Sequence, residues 1–237
     1  MWLAIDIGNT NIHIGIFEDD VLHSSYSVPQ AVVLSSVNPK VEVFVIEYIQ
    51  KHFFVNPQFI GKDIPIPMAV LTDQPDRVGV DRLVNALAAF ERTKSWTIVV
   101  DAGTAITVDV INDGGAFMGG IIAPGMGISS KALHHYTALL PEIPVNKPKT
   151  ILGKNTESAI NSGIYWGTVG MVSRLISMLC DELKCQGNPQ NYLRNPLFDI
   201  GGDQNCVQEK SSFKFAKLML FDFFDQFSIS NVFSEIG

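Results

Sequence analysis

Cysteine is scarce. Cys180, Cys185 and Cys206 are odd in number, fall late in the chain and lack C-x-x-C spacing, which indicates neither a disulfide framework nor a zinc site. A reducing compartment suits such a sequence. Positive charge is scarce as well, with no run of Lys or Arg and a net charge of −7. That balance argues against nucleic acid or an anionic membrane surface as the main partner, so any anion must be met locally by backbone amides, a bound cation or a few placed side chains. No apolar run reaches the roughly 18 residues of a membrane span, and the opening Met1-Trp2-Leu3-Ala4-Ile5-Asp6 carries no basic leader. The expectation is a cytoplasmic protein with no membrane partner.

Apolar residues, by contrast, are plentiful: 46% of the chain is hydrophobic against 17% charged, which sets wholesale disorder aside. At 237 residues the chain can build one large domain or two small ones, each with its own core.

One device occurs twice. Residues 2–5 are an apolar run, Asp6-Ile7-Gly8-Asn9-Thr10 reads as a turn, and Ile12, Ile14 and Ile16 then alternate with Asn11, His13 and Gly15. Ninety-five residues later, Thr97–Val100 leads into Asp101-Ala102-Gly103-Thr104, and Ile106, Val108 and Val110 alternate with Thr107 and Asp109. Each unit reads as a buried strand ending in a carboxylate, followed by a glycine that lets backbone approach a ligand and a threonine that can donate to it. Amides and hydroxyl suit phosphate oxygens, whereas the carboxylate is better used to hold a cation or its waters. A single such turn reads equally well as a plain hairpin. Two copies imply a nucleotide-metal cleft between two halves.

Between the copies, Ala31–Ser36 reads as a strand, Val41–Phe53 as a helix with Phe44, Tyr48 and Ile49 on one face, and 58–61 as a short strand. A helix over 79–92 follows, with Leu83, Leu87 and Phe90 at helical spacing. Its first turn, Gly79-Val80-Asp81-Arg82, is unusual. Asp81 has the bland role of a cap, but Arg82 is unfavourable against the positive end of the helix dipole unless an anion is bound there. A carboxylate-bearing substrate would supply that anion.

After the second copy, residues 114–127 hold six of the 19 glycines, consistent with close backbone approach or with a tight hairpin and a Pro-Gly turn. Ser129–Thr137 reads as a helix. Another opens near Thr156, a candidate cap, and carries Gly163, Gly167 and Gly170 as a stripe for close contact within the chain or across a dimer seam. Residues 196–203 read as a strand ending in Gly201-Gly202, able to approach an adenine or to close the sheet. The stretch from Phe213 to Phe227 is aromatic, as core or subunit contact.

Taken together these residues resemble the type III pantothenate kinases, members of the superfamily that joins acetate and sugar kinases with heat-shock chaperones and actin. The likeness rests on Asp6-Ile7-Gly8-Asn9-Thr10-Asn11, Gly79-Val80-Asp81-Arg82 with Asn85, Asp101-Ala102-Gly103-Thr104-Ala105, Gly119-Gly120 with Pro124-Gly125, Thr137-Ala138 with Leu140-Pro141, Gly153 with Asn155-Thr156, and Gly201-Gly202, all in order along nearly the whole chain. It implies an α/β fold of two ribonuclease-H-like (actin-like ATPase) domains, mixed sheets flanked by helices, with ATP in the cleft between residues 1–92, a shortened N-terminal domain, and residues 93–237. It also implies ATP-dependent phosphorylation of pantothenate to 4'-phosphopantothenate, the first step of coenzyme A biosynthesis.

Roles follow by position. Asp6, Ile7, Gly8, Asn9, Thr10, Asn11, Ile12 and His13 would line the ATP phosphates, and Thr104 would add a hydroxyl. Asp101 would bind a monovalent cation, potassium or ammonium, alongside magnesium. Asp81 would be the general base, while Gly79, Val80 and Arg82 hold pantothenate. Thr156 would contact pantothenate, in that family from the partner subunit of a homodimer.

Two departures stand out. Relatives carry a helix between the first hairpin and the next strand, yet here Tyr26-Ser27-Val28-Pro29-Gln30 runs almost directly into Ala31–Ser36. Many relatives also have a tyrosine where Thr72 stands, lining the pantothenate site. These departures leave two other readings open: a non-enzymatic accessory factor of the same fold, and a kinase for another small hydroxy acid.

Overall fold

The computed structural model describes residues 2–18, 21–23, 29–183 and 192–193. They form a mixed α/β structure whose sheets are flanked by helices, in two compact units. Of the described residues, one takes those up to Ser95 together with Ile111–Gly119, the other Trp96–Val110 and those from Gly120 on. The sequence-read strand at 196–203 and the aromatic stretch 213–227 lie outside the described residues.

The first unit holds a five-stranded sheet in the order β3-β2-β1-β4-β5, formed by β1 (Trp2–Ile7), β2 (Ile12–Glu18), β3 (Val21–His23), β4 (Ala31–Ser36) and β5 (Gln58–Phe59). β1 pairs antiparallel with β2, placing Asp6 opposite His13, and parallel with β4, placing Asp6 beside Ser35. Strand alternation sends Leu3, Ile5, Ile7, Val32 and Leu34 to one face, where they form a buried cluster with Ile49 of α1 (Pro39–Phe53). Each such side chain taken from water contributes roughly 1.5–3 kcal/mol.

Helix α1 begins two residues before the sequence reading. Pro39 is preset for a first helical position and its missing N–H leaves nothing unsatisfied. Phe44 and Tyr48 do not share the packed face of Ile49. Val41, Val45, Ile46 and Phe53 flank Ile49 against the sheet, whereas Phe44 is 71% and Tyr48 60% exposed. At about 100° per residue, positions 44 and 48 point well away from 49. The helix closes at Phe54, whose left-handed φ of 59° lets its N–H donate to the Gln50 carbonyl.

Helix α2 (Val80–Thr93) packs on β4 and buries Val84, Ala86, Leu87, Ala88 and Ala89. The hairpin tip at 111–119 completes this unit. Gly115, at φ +79°, sits against the Phe90 ring, where any Cβ would fall 2.6 Å from a ring carbon. Part of the glycine-rich run therefore has the hairpin explanation.

In the second unit the sheet order is β8-β7-β6-β9, from β6 (Thr97–Ala102), β7 (Ala105–Ile111), β8 (Phe117–Pro124) and β9 (Tyr192–Leu193). Residues 97–100 are buried throughout, as an inner strand requires. Helix α3 (Met126–His135) starts three residues earlier than expected, and α4 (Thr156–Glu182) packs against it. Along α4, Gly163, Gly167 and Gly170 are exposed, with nothing within 4 Å of an added Cβ. Among the described residues the stripe makes no close contact within the chain.

Candidate functional site

The first turn is set by backbone geometry. The Gly8 N–H donates to the Asn11 carbonyl at 3.0 Å and the Val37 N–H to the Ile7 carbonyl at 3.0 Å, tying the turn to the residue after β4. Ile7 is fully buried, whereas Asn9, Thr10 and Asn11 are exposed, so the turn offers polar groups outward on an apolar anchor. Ile12 is 45% exposed and His13 half-buried.

Asp6, out of phase with Ile5 and Ile7, points to the face opposite the cluster. Burial pushes its carboxyl above the ordinary aspartate range. Ser35 pulls the other way, the charge of Asp81 adds to the rise, and His13 reduces it. Ser35 Oγ lies close enough to act on the carboxyl, yet neither it nor Asp6 Oδ1 makes a hydrogen bond of ordinary geometry. Both oxygens stand buried at the carboxyl end of the parallel strands β1 and β4.

Asp81 acts on Asp6 because α2 starts beside them. Its N-cap is Gly79, with no side-chain bond, so Asp81 is not the cap; its Oδ1 accepts the Arg82 N–H at 2.8 Å. A Cβ on Gly79 would fall 2.5 Å from that Oδ1. The glycine therefore keeps space for the carboxylate where it is. A Cβ on Gly61 would come 3.4 Å from Val80 Cγ2, which brings the end of β5 to the same corner. The Arg82 guanidinium lies over the Phe117 ring, 5.4 Å from its centroid. Nearby, Thr72 Oγ1 is buried with no hydrogen-bond partner, and its Cγ2 lies 3.9 Å from a Cβ built on Gly119. The structure thus gathers Asp6, His13 and the 79–82 turn in one unit, and adds Ser35 and Phe117, which the sequence reading passed over. A serine closing the apolar run Ala31–Leu34 was the available signal for Ser35.

Asp101, Thr104 and Thr156 belong to the second unit. Asp101 is half-buried near the end of β6, and the turn is closed by the Gly103 N–H donating to the Ala105 carbonyl at 3.0 Å. Gly125 packs directly on this turn: its N–H donates to the Thr104 carbonyl at 3.1 Å, and a Cβ there would fall 2.3 Å from both the Gly103 and Thr104 oxygens. Close backbone approach does explain this glycine.

Thr156 is not the cap of α4. Asn155 is: its side chain accepts the Ser158 N–H at 2.8 Å while Ser158 Oγ accepts the Asn155 N–H at 3.1 Å. Thr156 stands exposed at the first helical position.

Among the described residues no group of three or more His, Cys, Asp or Glu is arranged to hold a metal ion. A cation at either aspartate would complete its shell from carbonyls, water and phosphate, as hard cations with all-oxygen ligands do. The carboxylate of Asp101 beside a carbonyl-rich turn, and the unpartnered Asp6 Oδ1, suit such ions. No helix among the described residues is long and apolar enough to cross a membrane.

The profile of the type III pantothenate kinase family matches residues 20–178. A type III pantothenate kinase of Anaeromyxobacter dehalogenans (strain 2CP-C) is 36% identical over 211 residues, covering 77% of this chain and 83% of its own length. One from Sulfurihydrogenibium sp. (strain YO3AOP1) is 35% identical over 216 residues, with 79% and 86% covered. Because 77% of 237 is about 182, roughly 30 of the 211 positions matched in the first relative have no counterpart here. A solved structure described as a conserved Baf family transcriptional activator from Campylobacter jejuni shares the fold, with TM-score 0.54 at 20% identity over 97% of this chain and 98% of its own.

Proposed function

The chain belongs to the type III pantothenate kinase family, and on that footing we propose how its residues divide the work of phosphorylating pantothenate with ATP, the first step of coenzyme A biosynthesis. The observation that carries the reading is the corner where the ends of β1 and β4 meet the first turn of α2, with Asp6 and Asp81 in electrostatic contact.

The arrangement we infer is two actin-like domains, residues 1–92 and 93–237, with ATP between them. Asp6 through His13 line the phosphates with turn amides and side chains, and Thr104 adds a hydroxyl from the second turn. Magnesium, when bound, neutralises charge on the phosphates, and the Asp6 carboxylate holds it or its waters. Asp101 takes a monovalent cation, potassium or ammonium.

Gly79, Val80 and Arg82 seat pantothenate, with the guanidinium facing its carboxylate at the positive end of α2. Thr72 offers a buried hydroxyl with no partner of its own for a polar group of the substrate to satisfy. The primary hydroxyl oxygen attacks the γ-phosphorus, the bond from that phosphorus to the bridging oxygen breaks, ADP departs, and Asp81 accepts the hydroxyl proton. A carboxylate suffices as base because phosphoryl transfer rests mostly on positioning and charge neutralisation.

Thr156 reaches pantothenate from a partner subunit. What supports a homodimer is the exposed apolar set Ile122, Tyr136, Leu139, Ile151 and Leu152 on the second unit, together with the bare glycine stripe of α4. On this reading the protein works in the cytoplasm. No observation favours the accessory-factor reading.

The test is product formation: purified protein, ATP, magnesium and potassium, with and without pantothenate, followed by phosphorus NMR. A new phosphomonoester signal that needs pantothenate supports the reading. ATP left unchanged in its presence refutes it.

A further inference from the structure

Within the first unit the hairpin tip at 111–119 lies along one stripe of α2. Arg82, Ala86 and Phe90 recur every four residues on that stripe, with Ala86 fully buried between the other two. Gly115 sits against the Phe90 ring and, two residues on, the Phe117 ring meets the Arg82 guanidinium, with Cζ 5.4 Å from the ring centroid. Phe117 is fixed from several sides. Its side chain is fully buried, its N–H donates to the Ala69 carbonyl at 2.8 Å, and its carbonyl accepts the Leu71 N–H at 2.8 Å.

Arg82 has the opposite character. It is half-buried, carries a long flexible stem, and stands in the first turn of α2, where the helix dipole repels a cation. That field drives the guanidinium outward. The face of an aromatic ring carries negative potential and draws a cation back, and it does so without taking up any of the N–H donors that a carboxylate needs. A rigid ring beside Arg82 therefore offsets the dipole and sets the direction in which the guanidinium fork is presented. An aliphatic side chain of similar bulk would fill the same space and do neither.

We propose that Phe117 is a positioning residue for pantothenate, its ring holding the Arg82 guanidinium where the carboxylate of the substrate meets it. The proposal rests on the reading of the 79–82 turn as the pantothenate seat. A guanidinium held in advance lowers the ordering cost of binding. Loss of the ring's pull therefore falls on the KM for pantothenate, and leaves kcat and the KM for ATP alone, because Phe117 acts through Arg82 and not on the transferred phosphoryl group. Phe117 also packs the core and ties residues 69–71 to the hairpin, so the substitution that separates the two roles must keep the shape of the ring.

Phenylalanines bearing one, two and three ring fluorines do so: placed at position 117 of the full chain, they leave the packing nearly unchanged while draining negative potential from the ring face. The KM for pantothenate should rise with each fluorine, reaching about two- to fivefold at three, with kcat and the KM for ATP flat. In urea, without substrate, three fluorines should lower the unfolding midpoint further in the chain that keeps Arg82 than in Arg82→Gln, which removes the cation. A flat KM series with turnover intact, an equal rise in the KM for ATP, or equal urea shifts in the two backgrounds overturns the positioning role alone. Failure of the unfluorinated protein to phosphorylate pantothenate refutes the functional reading itself, and the positioning role falls with it.

Discussion

Asp6 and Ser35 stand side by side across the parallel pair β1–β4, and neither Asp6 Oδ1 nor Ser35 Oγ has a hydrogen-bond partner. The carboxyl is raised by burial and by Asp81, so folding disfavours its charged form. Its contribution to stability is present at low pH and lost as pH rises through the raised value, leaving the folded protein strained at neutral pH. Asp6→Asn should therefore raise Tm at pH 7, by about 2 °C or more, while abolishing turnover. Thermal unfolding between pH 4 and 8 should show the two proteins converging toward the acid end. A lower Tm for the variant at pH 7 would contradict this account of Asp6.

Gly125→Ala should distort the second turn, because its Cβ would meet the Gly103 and Thr104 carbonyl oxygens at 2.3 Å. A loss of about 1–3 kcal/mol is expected, with the KM for ATP up about tenfold through the displaced turn. Gly127→Ala is the control: it lies in α3 with nothing within 4 Å of an added Cβ, and should gain about 0.5–1 kcal/mol from helix propensity. Urea denaturation and ATP titrations of both variants measure these effects.

Asn155→Ala and Thr156→Ala separate capping from binding. The first removes the side-chain half of the capping box, while the backbone N–H of residue 155 can still donate to Ser158 Oγ, and should cost about 1 kcal/mol. The second touches an exposed residue, so stability should change by less than about 0.5 kcal/mol while the KM for pantothenate rises severalfold. Parallel unfolding curves and kinetics decide. The reverse pattern would return Thr156 to a structural role.

Asp101→Ala should flatten the response to potassium and weaken ATP use together. Rates in potassium, ammonium and sodium are the measurement. An unchanged preference among the three would move the monovalent cation elsewhere.

Local chemistry was legible in the sequence where one residue type had one reason to be there. The run Ala31–Ser36 became β4 with the bounds its pattern suggests, and the glycines after Asp6 and Asp101 mark real turns. Choices among equivalent residues were not legible. Asn155 and Thr156 are both good caps, and only the position of Ser158 three residues after Asn155 selects the first. Nor does alternation say which face is covered. Ile12 and Ile14 keep the alternation of a strand's apolar face, yet they are 45% and 61% exposed. Ser35 joins Asp6 only through the register of two strands almost 30 residues apart in sequence.

The central claim is that Asp81 takes the proton from the pantothenate hydroxyl. The decisive measurement is kcat of Asp81→Asn beside the wild type under saturating ATP, magnesium and potassium, with ATP affinity followed by calorimetry. The account predicts kcat lower by on the order of 10²–10⁴-fold with ATP affinity and Tm nearly unchanged, since the amide keeps the shape of the side chain but cannot serve as the base. Retention of wild-type turnover would remove Asp81 from the mechanism.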